Sequence, residues 1–119
     1  MSIYDKDFWQ ALDMMLQKSK LVIDRPKGTG HPKYSNMKYL VDYGYLQGTA
    51  SMDGAGIDVW RGSDKAGKIN AVMCIVDLIK NDSEIKLLLD CTEEEKNSIY
   101  HFHNQSKYMK GILINREVL

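Results

Sequence analysis

Cysteine, proline and charge of one sign are all in short supply here, and each shortage narrows what the chain can be. Two cysteines, Cys74 and Cys91, sit in separate apolar runs without metal-ligand spacing. That argues against a disulfide framework or a thiolate zinc site and predicts buried thiols in a reducing compartment. The two prolines, Pro26 and Pro32, flank one loop, and no linker or repeat divides the 119 residues, so a single domain over 1–119 is expected. Sixteen Lys plus Arg balance sixteen Asp plus Glu. With no net charge there is no global pull toward nucleic acid or an anionic membrane, and any anion site must be built locally. No apolar run approaches the ~18 residues of a membrane span. The start Met1-Ser2-Ile3-Tyr4-Asp5-Lys6-Asp7 lacks the basic head and apolar core of a signal peptide. The expectation is a soluble cytoplasmic protein.

What is present is an ordinary globular balance, 44% hydrophobic and 27% charged. Phe8, Ala11, Leu12, Met15 and Leu16 follow helical spacing and predict an amphipathic helix over Phe8 to Lys18, within an amino-terminal segment 1–20. Leu21-Val22-Ile23 reads as a short strand, and residues 27–32 as a turn-rich loop. Tyr39 to Leu46 fits a strand in which Gly44 marks a bulge or a close backbone approach. Ile57 to Trp60 reads as a strand, Ile69 to Ile79 as one strand or two, and Ser83 to Leu89 as another. Thr92-Glu93-Glu94-Glu95 is a capping-box sequence that opens a helix reaching about Gln105, and Gly111 to Asn115 forms a last strand. Pattern alone leaves a small closed β-barrel and an α+β sandwich equally open.

Two acidic groupings draw attention. Asp53 and Asp58 lie five apart across a glycine-containing loop and can converge at a strand edge, while strand periodicity places Asp82, Glu84 and Lys86 on one face and Ile85, Leu87 and Leu89 on the other. Each has a plainer reading, as solvated loop acids or the outer face of an amphipathic strand. His101 and His103, two apart on a predicted helix, point to different sides and read as ordinary partly buried residues. Gly28-Thr29-Gly30 is too short for a nucleotide-binding fingerprint.

The run Tyr39-Leu40-Val41-Asp42-Tyr43-Gly44-Tyr45, followed by Asp53-Gly54-Ala55-Gly56-Ile57-Asp58-Val59, resembles the core of the soluble (family I type) inorganic pyrophosphatases, as a short and divergent member. There a Tyr-x-x-x-Tyr-Gly-Tyr strand runs into Asp-Gly-Asp-Pro-x-Asp, and the likeness extends from about Leu21 to Gly111. It implies a mainly β, α+β fold, an OB-type closed barrel over 21–119 with one helix before it and one near its end. It also implies Mg2+-dependent hydrolysis of pyrophosphate or a related phosphoanhydride, with Mn2+ as a substitute. Asp53, Asp58, Asp82 and Glu84 correspond to metal ligands. Lys33, Tyr39, Tyr43, Lys86 and Lys107 correspond to substrate contacts, with Lys33, Tyr43 and Lys86 also in the catalytic set. Asp24 takes the place of a family glutamate.

The departures from that pattern are chemically specific. Ala55 replaces the aspartate that serves as the family's base, and Asp42, just before Tyr43, is the candidate to serve in its place. Ser35 replaces a glutamate and Ser106 a tyrosine. The segment that carries a phosphate-binding arginine is missing, with Arg25 and Arg61 nearby. Two functional classes therefore compete, a weakened metal-dependent hydrolase and a catalytically degenerate protein that binds a phosphorylated ligand or a protein partner. An oligonucleotide-binding barrel would want a basic face, which the neutral charge does not supply. Membrane association is not expected, and homo-oligomerisation is left open.

Overall fold

Eight elements follow one another among the described residues, and their order follows from where the apolar periodicity changes. The computed structural model describes residues 6–33, 37–52 and 54–117. Helix α1 (Lys6–Lys18) leads into β1 (Lys20–Arg25), β2 (Asp42–Gln47), β3 (Ile57–Arg61), β4 (Ile69–Asp77) and β5 (Asp82–Leu89), then α2 (Glu93–Phe102) and β6 (Met109–Asn115). The six strands form one mixed sheet in the order β1-β2-β3-β5-β4-β6. All neighbours are antiparallel except β3 and β5, where Val59, Trp60 and Arg61 pair with Leu87, Leu88 and Leu89 in parallel.

Alternation along the strands divides the interior in two. On one side Leu46, Val59, Val72 and Leu87 pack with Trp9 and Leu12 of α1; on the other Tyr43, Trp60, Met73, Ile75 and Leu88 pack with Ile99 and Phe102 of α2. The expected α1 face holds at Leu12, Met15 and Leu16 and changes in the first turn. Trp9 is buried while Phe8 and Ala11 are exposed, because the larger indole fills the space over Leu46 and Val59 and the phenyl ring lies edge-on beside it.

Three further expectations change in detail. The strand read from Tyr39 begins at Asp42, since the Tyr39 backbone is used by the preceding loop, with its N–H donating to Thr29 O. The apolar run after Ile69 is one strand that stops at Asp77, whose Oδ1 accepts from the N–H groups of Ile79 and Lys80 at 3.0 Å each. Asn81 in the left-handed region (φ 57°) then closes the hairpin and leaves Leu78 and Ile79 exposed. The barrel expected from the resemblance is not closed by hydrogen bonds among the described residues. β6 pairs with β4 along Ala71 to Asp77, occupying the edge that a five-stranded closure would offer to β1.

Helix α2 starts as its sequence requires. The Thr92 side chain accepts from Glu95 N–H, and the Glu95 carboxylate accepts from Thr92 N–H at 2.8 Å and from Ser63 N–H at 3.1 Å, so one capping box also ties the helix to the β3–β4 loop. The helix ends at Phe102 with His103 as its cap, three residues before the expected end. No helix is long and apolar enough to cross a membrane among the described residues.

Candidate functional site

The α2 side of the sheet is apolar near Trp60 and Leu88 and becomes polar toward the β4–β5 hairpin. Period-two alternation carries Lys86, Glu84 and Asp82 outward from Leu88 along β5, and the register sets Asp77 of β4 opposite Asp82. From β3, Asp58 shares the face of Trp60; from β2, Tyr43 and Tyr45 do the same. These side chains border a cleft of about 320 Å³ whose walls include Asp24, Arg25, His31, Tyr39, Lys80, Phe102 and His103. A larger depression of about 540 Å³ is formed mainly by Cys74, Val76, Ile85 and Ile112. It is almost wholly apolar, so the chemistry-bearing groups lie in the smaller space.

Lys86 organises the cleft. Its side chain is 9% exposed, and its ammonium donates to Tyr43 Oη at 2.6 Å, to Asp58 Oδ2 at 2.6 Å and to Glu84 Oε1 at 2.8 Å. Three N–H bonds meet three acceptors, so this lysine is satisfied without a ligand. Burial alone would lower its pKa, but Tyr43 and Asp58 outweigh that and hold it above the ordinary lysine value. The Tyr43 phenol is pushed up chiefly by burial, with Lys86 opposing, and stays a protonated donor.

Five carboxylates, Asp24, Asp58, Asp77, Asp82 and Glu84, face the cleft with three cations, Arg25, Lys80 and Lys86. With neutral histidines, five against three leaves a net charge of −2. Hard carboxylate oxygens in that excess fit Mg2+ or Mn2+ by donor chemistry. Among the described residues, however, no three acidic, cysteine or histidine groups stand close enough to form a ready-made metal cluster. Asp58 and Glu84 each commit one oxygen to Lys86, and Asp77 caps its own turn.

Of the candidates read from the sequence, Asp58, Asp82, Glu84, Lys86, Tyr39 and Tyr43 come together here. Asp53 lies outside the described residues. Asp42 does not border the cleft. Alternation along β2 turns it away from Tyr43, and its carboxylate accepts from Lys27 N–H at 2.8 Å and from Arg61 at 3.1 Å. Those contacts, the Lys27 backbone bond foremost, lower its pKa, which suits an ion-pair partner better than a base. Lys33 and Lys107 are exposed and also stand off the cleft; the Lys107 ammonium lies 5.2 Å from the Tyr108 ring. Ala55 is exposed in the loop that leads into β3.

Sequence reasoning missed three contributors. Asp77 was recoverable by continuing β4 with period two across a four-residue turn, which sets it opposite Asp82. Lys80 follows in that turn. His103 gave no signal, since its surroundings come from β3 and β5. It is 2% exposed, its Nε2 accepts from Trp60 Nε1 at 3.1 Å, and burial followed by the Lys86 charge lowers its pKa to about 3.

No protein-family profile matches the chain, and no curated protein matches it in sequence. Solved structures do. An inorganic pyrophosphatase from Helicobacter pylori superposes with a TM-score of 0.62 at 18% identity, over 82% of this chain and 85% of its own. One from Coxiella burnetii gives 0.58 at 15% identity over 82% and 83%, and an inorganic phosphatase from Anaplasma phagocytophilum gives 0.56 at 16% over 80% and 82%. At such identities the likeness is one of architecture, and the chain has the fold of the inorganic pyrophosphatases.

Proposed function

We propose that this chain is a divalent-cation-dependent hydrolase of pyrophosphate or a related phosphoanhydride. The observation that carries the reading is the meeting of five carboxylates from β1, β3, β4 and β5 with Lys86 and three tyrosines in one cleft. A pyrophosphate anion entering a space of net charge −2 would be repelled, so binding would require cations held by the cleft acids. The residues that would hold them are Asp58, Asp82 and Glu84, through oxygens not spent on Lys86, with Asp53 added by the sequence resemblance alone. Bound there, Mg2+ neutralises phosphoryl charge and acidifies water.

The chain's own groups have separable roles. Lys86 holds Asp58 and Glu84 side by side against their mutual repulsion, and Tyr43 completes its coordination. Tyr43 keeps its proton and can donate to an oxygen in the cleft. Because Lys86 has no proton to spare in this arrangement, contact with a phosphoryl group requires it to release one of its three acceptors. By resemblance Ala55 stands where the family has its base, and an alanine cannot accept a proton. Losing such a base commonly costs ~10²–10⁴ in rate, so turnover is expected to be slow.

Phosphate release from pyrophosphate, followed with and without magnesium, tests this reading. The expected result is slow, magnesium-dependent release that Asp58→Asn abolishes and Ala55→Asp raises at least about tenfold. No release from folded wild-type chain or from Ala55→Asp, across the millimolar magnesium range, would leave binding without turnover as the function.

A further inference from the structure

Regular pairing fails at one point in β1, and the failure decides where Arg25 goes. Val22 pairs with Tyr45 and Arg25 with Tyr43, so Ile23 and Asp24 together face the single residue Gly44. Unbroken register would set Asp24 opposite Tyr43 and Arg25 opposite Asp42, on the face turned from the cleft. The extra residue shifts Arg25 by one place and brings it to the Tyr43 face.

There Arg25 meets aromatic rings in place of an acid. Its guanidinium carbon stands 5.8 Å from the ring centres of both Tyr39 and Tyr43, two rings stacked 5.5 Å apart. Its Nη1 donates to Tyr39 Oη at 2.7 Å. The chain has three arginines. Arg61 is paired with Asp42 at 3.1 Å and Arg116 with Asp13 at 2.8 Å, whereas Arg25 forms no ion pair among the described residues. A guanidinium has five N–H donors in a rigid plane, and four remain after the Tyr39 bond. Arg25 itself borders the cleft.

We propose that Arg25 is the cleft's oxyanion receiver, binding the non-bridging oxygens of a phosphoryl group, with Tyr39 as its positioning residue. The ligand class rests on the phosphoanhydride reading above, while the role of Arg25 does not require that hydrolysis occur. A fork-shaped donor held in advance favours the terminal phosphoryl dianion over a diester, which offers fewer charged oxygens.

Calorimetric binding in the presence of magnesium provides the test, with methylenediphosphonate as the inorganic probe and α,β-methylene-ADP as the organic one. Arg25→Met, which keeps the stem and removes the charge, is expected to weaken whichever probe the wild-type chain binds by about ten- to a hundredfold. Arg25→Lys should recover part of that loss, since it restores charge without the fork, and it guards against a folding artefact. Tyr39→Phe should weaken binding several-fold in the wild-type background and have no effect in Arg25→Met, a dependence that a purely structural tyrosine would not show. Equal affinity for wild type and Arg25→Met, or no binding of either probe by the wild type, would overturn the proposal. Arg25-dependent binding without phosphate release would retain it and reject the hydrolase reading; release with KM unchanged in Arg25→Met would do the reverse.

Discussion

A buried ammonium with three acceptors within 2.8 Å behaves differently from a surface lysine of the same name. Lys86 was legible as a member of the site because period two placed it beside Asp82 and Glu84. Its saturation was not legible, because it depends on Asp58 and Tyr43 arriving from other strands. His103 shows the same limit from the other direction. The sequence reads it only as an ordinary partly buried residue, yet in the folded chain it stays neutral down to about pH 3, while the unfolded chain protonates it near 6.5. Between those values the unfolded state binds the extra proton, so stability falls as pH drops from about 6.5 toward 3. His31, also lowered by burial and by Arg25, adds to the slope with the same sign. The part that belongs to His103 should vanish in His103→Gln, which retains an acceptor for Trp60. Melting temperatures between pH 6.5 and 4.5, above the carboxylate range, check this; an unchanged slope would mean that the imidazole charges freely in the folded state.

Among the elements, strands were read more faithfully than their ends. Apolar alternation marks a strand's body, whereas its limits are set by side-chain turn contacts such as those of Asp77 and by loop pairing such as that of Tyr39. Helix α1 was found with Leu12, Met15 and Leu16 on its packed face, but its first turn was misread, since Phe8 and Trp9 are adjacent aromatics and the opposing surface selects between them. Gly44 was the clearest local signal. A Cβ there would collide with the Val22 carbonyl oxygen and come within 2.8 Å of Ile23 Cα, so the β1 bulge and this glycine require each other. Gly44→Ala is expected to destabilise the chain by about 3 kcal/mol or more, because backbone rather than a flexible side chain must give way. Denaturant unfolding measures this, and a loss below about 1 kcal/mol would mean that β1 can detach from β2 at little cost.

On the scale of the whole molecule, Tyr39, Tyr43 and Asp58 were legible through the Tyr-x-x-x-Tyr-Gly-Tyr and Asp-Gly-x-x-x-Asp-Val runs, and Asp82 and Glu84 through strand periodicity. Their mutual placement was not, because it depends on sheet order. The β4–β5 hairpin closes locally through Asp77 and Asp82, but β3 joins β5 in parallel, and the Asp58–Lys86 bond spans 28 residues. Contacts of that range follow the local ones in time, since loop closure must come first. The ion pairs of the cleft are thus expected to form after the folding barrier is crossed. Asp58→Asn should speed unfolding while leaving the refolding rate nearly unchanged, as followed by stopped-flow fluorescence of Trp60 and Trp9; slower refolding would put β3 docking in the nucleus. A chain on its way to the native state would then acquire its hairpin and core first and its chemistry last. Any partly folded form that leaves β3 undocked would carry a sheet without a site, so ligand or cation added during refolding should act on the final step and leave the earlier ones alone.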